Sequence, residues 1–121
     1  NVNFTGITSS KWKATTVISS SGALPKSNTF TSGGGTLVIS ASGSGYKASM
    51  GSIGMDVRLD GTTIGSCSVF VNQTFSHAAF VPNTFIRTGV AAGTHTLMLS
   101  AQSGTLSDSD NYNVTVIELP F

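Results

Sequence analysis

The segment from residue 53 to residue 71 constrains the fold more than any other part of the sequence. Between Ile53 and Leu59 every second residue is apolar and the residues between them are glycine or charged. This alternation of period two gives a β-strand one buried face and one face in water. The dipeptide Asp60-Gly61 follows at once, and both residues readily adopt the positive φ angles of a type I′ turn. The segment therefore predicts an antiparallel hairpin whose second strand runs from Thr62 to Val71.

Short runs rich in β-branched residues recur along the rest of the chain between clusters of Gly, Ser and Asn, and no stretch has a helical period. This pattern predicts an all-β fold, an antiparallel β-sandwich with jelly-roll connections. We expect residues 1–10 to be a leader or the end of a preceding shaft, and residues 11–121 to form the sandwich domain. Residues 19–25 read as a loop, and the further strands are predicted at Trp12–Ile18, Thr36–Ala41, His77–Val81, Phe85–Thr88, Thr94–Ala101 and Tyr112–Leu119.

Charge is scarce in this chain, because Asp, Glu, Lys and Arg make up 9% of the residues, against about 25% in an average soluble domain. The formal net charge of +1 gives no basic footprint, so we expect no nucleic-acid partner. No run of about 18 apolar residues is present, which predicts membrane contact only through a receptor. The single cysteine, Cys67, excludes an internal disulfide framework.

Titratable groups are too few and too scattered to predict catalysis. The chain has two histidines and five side-chain carboxylates, and it has no G-x-S-x-G motif that would favour a Ser-His-Asp triad. The segment Asp108–Asn111 offers alternate oxygen atoms, as some calcium loops do, but the glycine and glutamate of an EF-hand are not in register. His77 and His95 lack a third zinc ligand nearby in the sequence. We therefore predict no enzyme activity, no catalytic residue, no metal and no cofactor.

Six residues are candidates for ligand binding. Flat aromatic rings suit the apolar faces of sugars, and cationic side chains pair with carboxylates, although core packing and plain surface charge are the alternatives. The aromatic candidates are Trp12, Tyr46 and Tyr112, and the cationic candidates are Lys47, Arg58 and Arg87.

Four segments resemble, in their order along the chain, the strands of the trimeric jelly-roll heads of the tumour necrosis factor and complement globular-head type. The segment Gly35–Ala41 resembles the early G-x-φ-x-φ strand, where φ is apolar or aromatic, and Val57–Ile64 resembles the central hairpin. Val90–Ala101 resembles the penultimate strand, and Asp110–Leu119 resembles the final, aromatic-led strand. The resemblance implies a TNF-like jelly roll that assembles as a homotrimer.

The surface rich in Ser, Thr, Gly and Asn also resembles the distal knobs of tailed-phage tail needles and tail fibres. This resemblance implies a head domain of the virion that caps a trimeric shaft and attaches to a host-surface component, a glycan or a small polar or anionic ligand. A monomeric carbohydrate-binding module or lectin domain of an extracellular bacterial protein is the alternative. A purely structural capsid-decoration or assembly module is the third hypothesis. The oligomeric state separates the first hypothesis from the second.

Overall fold

Antiparallel pairing between distant segments of the chain builds two four-stranded sheets that pack face to face. The computed structural model describes residues 12–119 and 121. The predicted leader, residues 1–10, lies outside the described residues. Sheet A consists of β1 (Lys13–Gly22), β10 (Asp110–Leu119), β3 (Gly35–Ser42) and β8 (Asn83–Val90), and sheet B of β2 (Lys26–Ser32), β9 (Gly93–Ala101), β5 (Gly51–Leu59) and β6 (Thr62–Val71). A small third sheet joins β4 (Ser44–Gly45) to β7 (Ala78–Ala79).

The order of the strands is that of a jelly roll. The first strand of sheet A pairs with the last strand of the chain, and β2 pairs with the penultimate long strand, β9. Every pairing is antiparallel. This arrangement confirms the predicted all-β jelly-roll sandwich. No helix in the described part of the chain is long and apolar enough to cross a membrane.

The predicted central hairpin is confirmed in detail. Asp60 and Gly61 have φ angles of 51° and 84°, as a type I′ turn requires, and β5 and β6 pair on either side of them. The apolar positions of β5 face sheet A, and Ile53, Met55 and Val57 are fully buried. Together with inward-facing residues of the neighbouring strands they form one continuous core, whose other large members are Leu37, Ile39, Phe80, Leu97, Leu99, Val114 and Val116.

Four predictions of local structure are wrong. The prediction missed β2, whose seven residues pair in register with β9. Residues 19–22 continue β1 rather than forming a loop, because they pair with the start of β10. The predicted strand His77–Val81 shrinks to the two residues of β7, and β8 begins at Asn83, earlier than predicted.

Candidate functional site

Side chains from three separate segments meet at one end of the sandwich. The pairing of β4 with β7 brings residues 75–79 beside residues 44–46, and a bridge between Tyr46 and Leu106 adds the loop that leads into β10. Gly45 permits this approach, because a Cβ there would lie 2.8 Å from the backbone oxygen of Leu106. The loop-end cluster, as we call the side chains collected here, consists of Ser44, Tyr46, Phe75, His77, Asp108 and Asp110.

Asp110 forms the buried base of the loop-end cluster, with 2% of its side chain exposed. Its Oδ1 accepts hydrogen bonds from the Ser44 hydroxyl at 2.7 Å and from Nδ1 of His77 at 2.8 Å. Its Oδ2 accepts from the backbone N–H of Asp108 at 3.1 Å. Burial raises the pKa of Asp110, but these hydrogen bonds outweigh it and leave the pKa lowered. Asp110 is therefore an ionised carboxylate that fixes three segments of the chain.

His77 presents one ring nitrogen to solvent. The pKa of His77 is raised, chiefly by the hydrogen bond to Asp110. Burial lowers this pKa, and the charges of the Asp110 and Asp108 carboxylates raise it further. Because Nδ1 donates to Asp110, the neutral ring carries its proton there and leaves the lone pair of Nε2 free. Nε2 lies 3.7 Å from Oδ1 of Asp108, whose side chain is exposed. Oδ1 of Asp108 also accepts from the backbone N–H of Ser109, and its Oδ2 accepts from the Tyr46 hydroxyl at 3.4 Å, so each oxygen keeps one lone pair for a ligand. The His77 ring also lies against Tyr46, with 4.4 Å between the ring centroids.

Phe75 places an aromatic ring at the rim of the loop-end cluster. Its φ angle is 58°, a value that is rare for a bulky residue and costs backbone strain. Its backbone N–H donates to the carbonyl of Lys47 at 2.8 Å, which helps to hold this conformation. Phe75 is 63% exposed, and the centroid of its ring lies 6.2 Å from that of Tyr46. A strained backbone thus displays an apolar ring to solvent beside a second aromatic side chain.

The cluster has the composition of a cation site without enough free ligand atoms. Ligand atoms of His77, Asp108 and Asp110 lie within 4.8 Å of one another. Asp110, however, already accepts a hydrogen bond from His77, which leaves Nε2 and the Asp108 carboxylate as the groups that face solvent. Two ligands fall short of the three or four that protein zinc sites use. We therefore interpret the cluster as a hydrogen-bonding site.

The other histidine makes a different kind of contact. Nδ1 of His95 lies 2.5 Å from Oδ2 of Asp60, and Nε2 lies 2.7 Å from the backbone oxygen of Ala91. Oδ1 of Asp60 accepts from the backbone N–H of Thr96 at 2.8 Å. Both nitrogens of His95 face acceptors, which fits the doubly protonated ring. The hydrogen bonds of His95 connect the turn at Asp60 with the turn at Ala91, and no ring nitrogen of His95 remains for a ligand.

Of the six residues predicted to bind a ligand, the structure brings Tyr46 into the loop-end cluster and Lys47 beside it. Lys47 contributes its backbone carbonyl, while its ammonium group points away and donates to the backbone oxygen of Ser52 at 3.4 Å. Neither Phe75 nor Asp110 was among the predicted site residues, and His77 was considered only as a zinc ligand. An aromatic residue two positions before a histidine is the one sequence signal that points to this segment.

The remaining four predicted residues lie elsewhere. Trp12 precedes β1 and is partly exposed. Arg58 lies on the outer side of sheet B, where its Nε is buried without a hydrogen-bond partner. Arg87 is exposed on the edge strand β8, in a shallow depression shared with Asp60 and His95. Tyr112 is buried in the core, and its hydroxyl donates to a backbone oxygen at 3.0 Å, so no ring face remains for a sugar.

Comparison with known proteins gives similarity in fold. No protein-family model and no curated protein matches the sequence. The CBM36-1 domain of a multidomain xylanase from the hindgut metagenome of Trinervitermes trinervoides is 14% identical, with a TM-score of 0.49 over 88% of this chain and 95% of that chain. A carbohydrate-binding module CBM36 in complex with calcium and xylotriose is 16% identical, with a TM-score of 0.47 over 86% of this chain and 97% of that chain.

A third match is a much larger protein. Dimeric latent PorU from Porphyromonas gingivalis is 15% identical, with a TM-score of 0.50 over 86% of this chain, which spans 10% of that chain. At these identities the likeness concerns the fold alone. These matches do not test the TNF-like tail-appendage identity or the trimer, which stay predictions. The order and antiparallel pairing of its strands make the chain a jelly-roll β-sandwich.

Proposed function

We propose that this chain is a non-enzymatic carbohydrate-binding module and that it binds a saccharide at the loop-end cluster. The observation that carries the proposal is the exposed ring of Phe75 beside Tyr46, next to two hydrogen-bond acceptors that face solvent, Nε2 of His77 and the carboxylate of Asp108. Sugars combine apolar ring faces with hydroxyl groups. A binding site of a few apolar surfaces and a small number of placed polar groups suits that chemistry.

The same geometry supports binding without hydrolysis. Most glycosidases use two carboxyl groups that both reach the scissile bond, one on each side of it. In the loop-end cluster only the Asp108 carboxylate faces solvent, because Asp110 is buried and its oxygens accept three hydrogen bonds. The proposal of a binding function therefore rests on the cluster itself and not on the likeness in fold.

A screen of polysaccharides tests the proposal. Affinity electrophoresis against soluble xylan, glucan, mannan and galactan identifies a ligand, and calorimetry with its oligosaccharides gives the affinity. Phe75→Ala should weaken binding about tenfold, which corresponds to a loss of about 1.4 kcal/mol of contact free energy. Phe70→Ala is the matched control, because Phe70 is 66% exposed and lies on β6 but is not one of the residues of the loop-end cluster. Equal losses in both variants, or no ligand in the screen, would reject the proposal.

The trimeric head of a phage tail appendage is the rival proposal, supported by the order of the strand motifs and by the scarcity of charge. It assigns the chain to the virion, whereas the carbohydrate-binding module that we favour would be an extracellular domain. The rival requires a mass of three chains in light scattering and a melting temperature that depends on protein concentration. The module that we favour requires the mass of one chain and a melting temperature independent of concentration.

A further inference from the structure

The loop-end cluster has two hydrogen-bond acceptors that face solvent, and one of them is a ring nitrogen of the fixed His77 imidazole. These two acceptors restrict the chemical group that can bind there. Nε2 of His77 and Oδ1 of Asp108 lie 3.7 Å apart, beside the ring of Tyr46. We infer that the loop-end cluster binds a vicinal diol of the saccharide, whose adjacent hydroxyls donate to Nε2 of neutral His77 and to the Asp108 carboxylate. Asp110 positions His77 for this contact, and the saccharide is released when His77 is protonated in acid. This inference rests on the proposed function and adds its ligand group and its regulation.

The case for a diol comes from the hydrogen-bonding capacity of the two groups. A carboxylate accepts hydrogen bonds and cannot donate them, and the lone pair of a neutral imidazole nitrogen also only accepts. A ligand that fills both positions must therefore offer two adjacent donors. Neighbouring ring hydroxyls of a sugar do so without carrying a charge. The Tyr46 ring flanks the imidazole and offers an apolar surface next to the two acceptors.

Asp110 is a positioning residue because it touches the imidazole and is too deeply buried to reach a ligand. Its hydrogen bond with Nδ1 sets which nitrogen carries the proton, and its contact with the backbone N–H of Asp108 sets the position of the second acceptor. Loss of the Asp110 charge should change the protonation of His77 as well as the shape of the site. A purely structural residue would change only the shape.

Protonation of His77 turns the acceptor into a donor. The new Nε2–H faces the Asp108 carboxylate across 3.7 Å, so the two groups pair with each other and compete with the ligand. The titratable groups that face the ring are the carboxylates of Asp108 and Asp110, from the loop and the start of β10, and the phenol of Tyr46, from the segment after β4. Because the two carboxylates favour the charged ring, the loss of affinity should begin at a higher pH than for an ordinary histidine.

The test is a pH series on the intact chain. Calorimetry with the oligosaccharide found in the polysaccharide screen is carried out from pH 5 to pH 9 with EDTA present, and NMR follows the His77 ring over the same range. The affinity should be constant above the midpoint and fall about tenfold for each pH unit below it, the slope of one competing proton. The midpoint of affinity should coincide with that of the His77 titration.

Variants separate positioning from structure. Asp110→Asn should lower the pH midpoint of both the affinity and the His77 titration. Asp60→Asn, which removes the carboxylate beside the other histidine, should leave both midpoints unchanged. Should Asp110→Asn not fold, the wild-type profile and Asp108→Asn decide the matter, because Asp108 is exposed and its substitution should lower the His77 midpoint and weaken binding.

The outcomes separate this inference from the proposed function. A monodeoxy or O-methyl sugar that lacks one hydroxyl of the diol should bind at least tenfold more weakly than the parent sugar. Binding of the parent sugar with an affinity that does not vary with pH would overturn the inference and leave the proposed function standing. Binding that is lost in EDTA and restored by Ca²⁺ would also overturn it, because the acceptors would then hold an ion. Failure of the whole saccharide screen would reject the proposed function itself.

Discussion

Replacing Gly65 by alanine forces a methyl group into the ring of Phe85. Gly65 lies on β6 opposite Val57, and Phe85 reaches it from β8, across the gap between the edge strands of the two sheets. A Cβ built on Gly65 would lie 2.1 Å from Cε1 of Phe85 and 2.6 Å from Cδ1. Carbon atoms normally pack at about 3.5–4.0 Å, so the ring or the strand must move by more than about 1 Å.

The magnitude follows from two opposing effects. Overpacking of a filled site costs about 1–3 kcal/mol, while alanine in place of glycine in a strand gains about 0.5–1 kcal/mol through the unfolded chain. We expect Gly65→Ala to lower the free energy of unfolding by about 1–2 kcal/mol, against about 5–15 kcal/mol for a whole domain. At about 4 °C for each kcal/mol, the melting temperature should fall by about 4–8 °C.

Thermal and urea unfolding followed by circular dichroism measure this effect. Ser68→Ala, at an exposed position of the same strand, is the control and should change the stability by less than about 0.5 kcal/mol. Adding Phe85→Leu should reduce the cost of Gly65→Ala, because the two sites share one contact. A Gly65→Ala protein as stable as the wild type, or more stable, would refute this packing of the two edge strands.

Three further predictions concern stability and the site. Hydrogen bonds and charge raise the pKa of His95 and lower that of Asp60, so their pair should stabilise the fold most between about pH 4 and 6.5. This stabilisation is lost as pH rises through the raised pKa of His95 or falls through the lowered pKa of Asp60. A His95→Gln protein whose stability to urea varies with pH as in the wild type would contradict this prediction. Gly45→Ala should lower both the melting temperature and the affinity for the saccharide, because the new Cβ would clash with the backbone oxygen of Leu106. An unchanged affinity in calorimetry would argue against this prediction. Tyr112→Phe should cost about 1 kcal/mol by removing a hydrogen bond, and an unchanged urea midpoint would exclude that role.

The sequence predicts the strands that have a strong local pattern and misses those that depend on a partner. Alternation and the Asp60-Gly61 turn predict the β5–β6 hairpin, because one buried face and one turn type fix its register. Strand β2 has a single large buried apolar residue, Phe30, among Ser, Asn and Thr. It forms because β9 supplies its hydrogen bonds, and the composition of residues 19–22 likewise gives no sign of their pairing with β10.

The candidate site is less predictable than the fold. Tyr46 was predicted to bind a sugar and Asp108 lies in the loop considered for calcium, but nothing in the sequence places them together. The contact that joins His77 to Asp110 spans 33 residues and depends on the two-residue pairing of β4 with β7, which has no pattern of its own. The positive φ of Phe75 is equally hidden, because phenylalanine is not a residue type that predicts that conformation.

NMR mapping of the bound saccharide locates the binding site on the sandwich. Amide shifts of the ¹⁵N-labelled chain are followed while the oligosaccharide identified by the polysaccharide screen is added. The shifted amides should cluster in residues 44–47, 75–79 and 106–111, with the outer faces of both sheets unchanged. Shifts concentrated on the outer face of either sheet, with these three segments unaffected, would contradict the assignment of the binding site to the loop-end cluster.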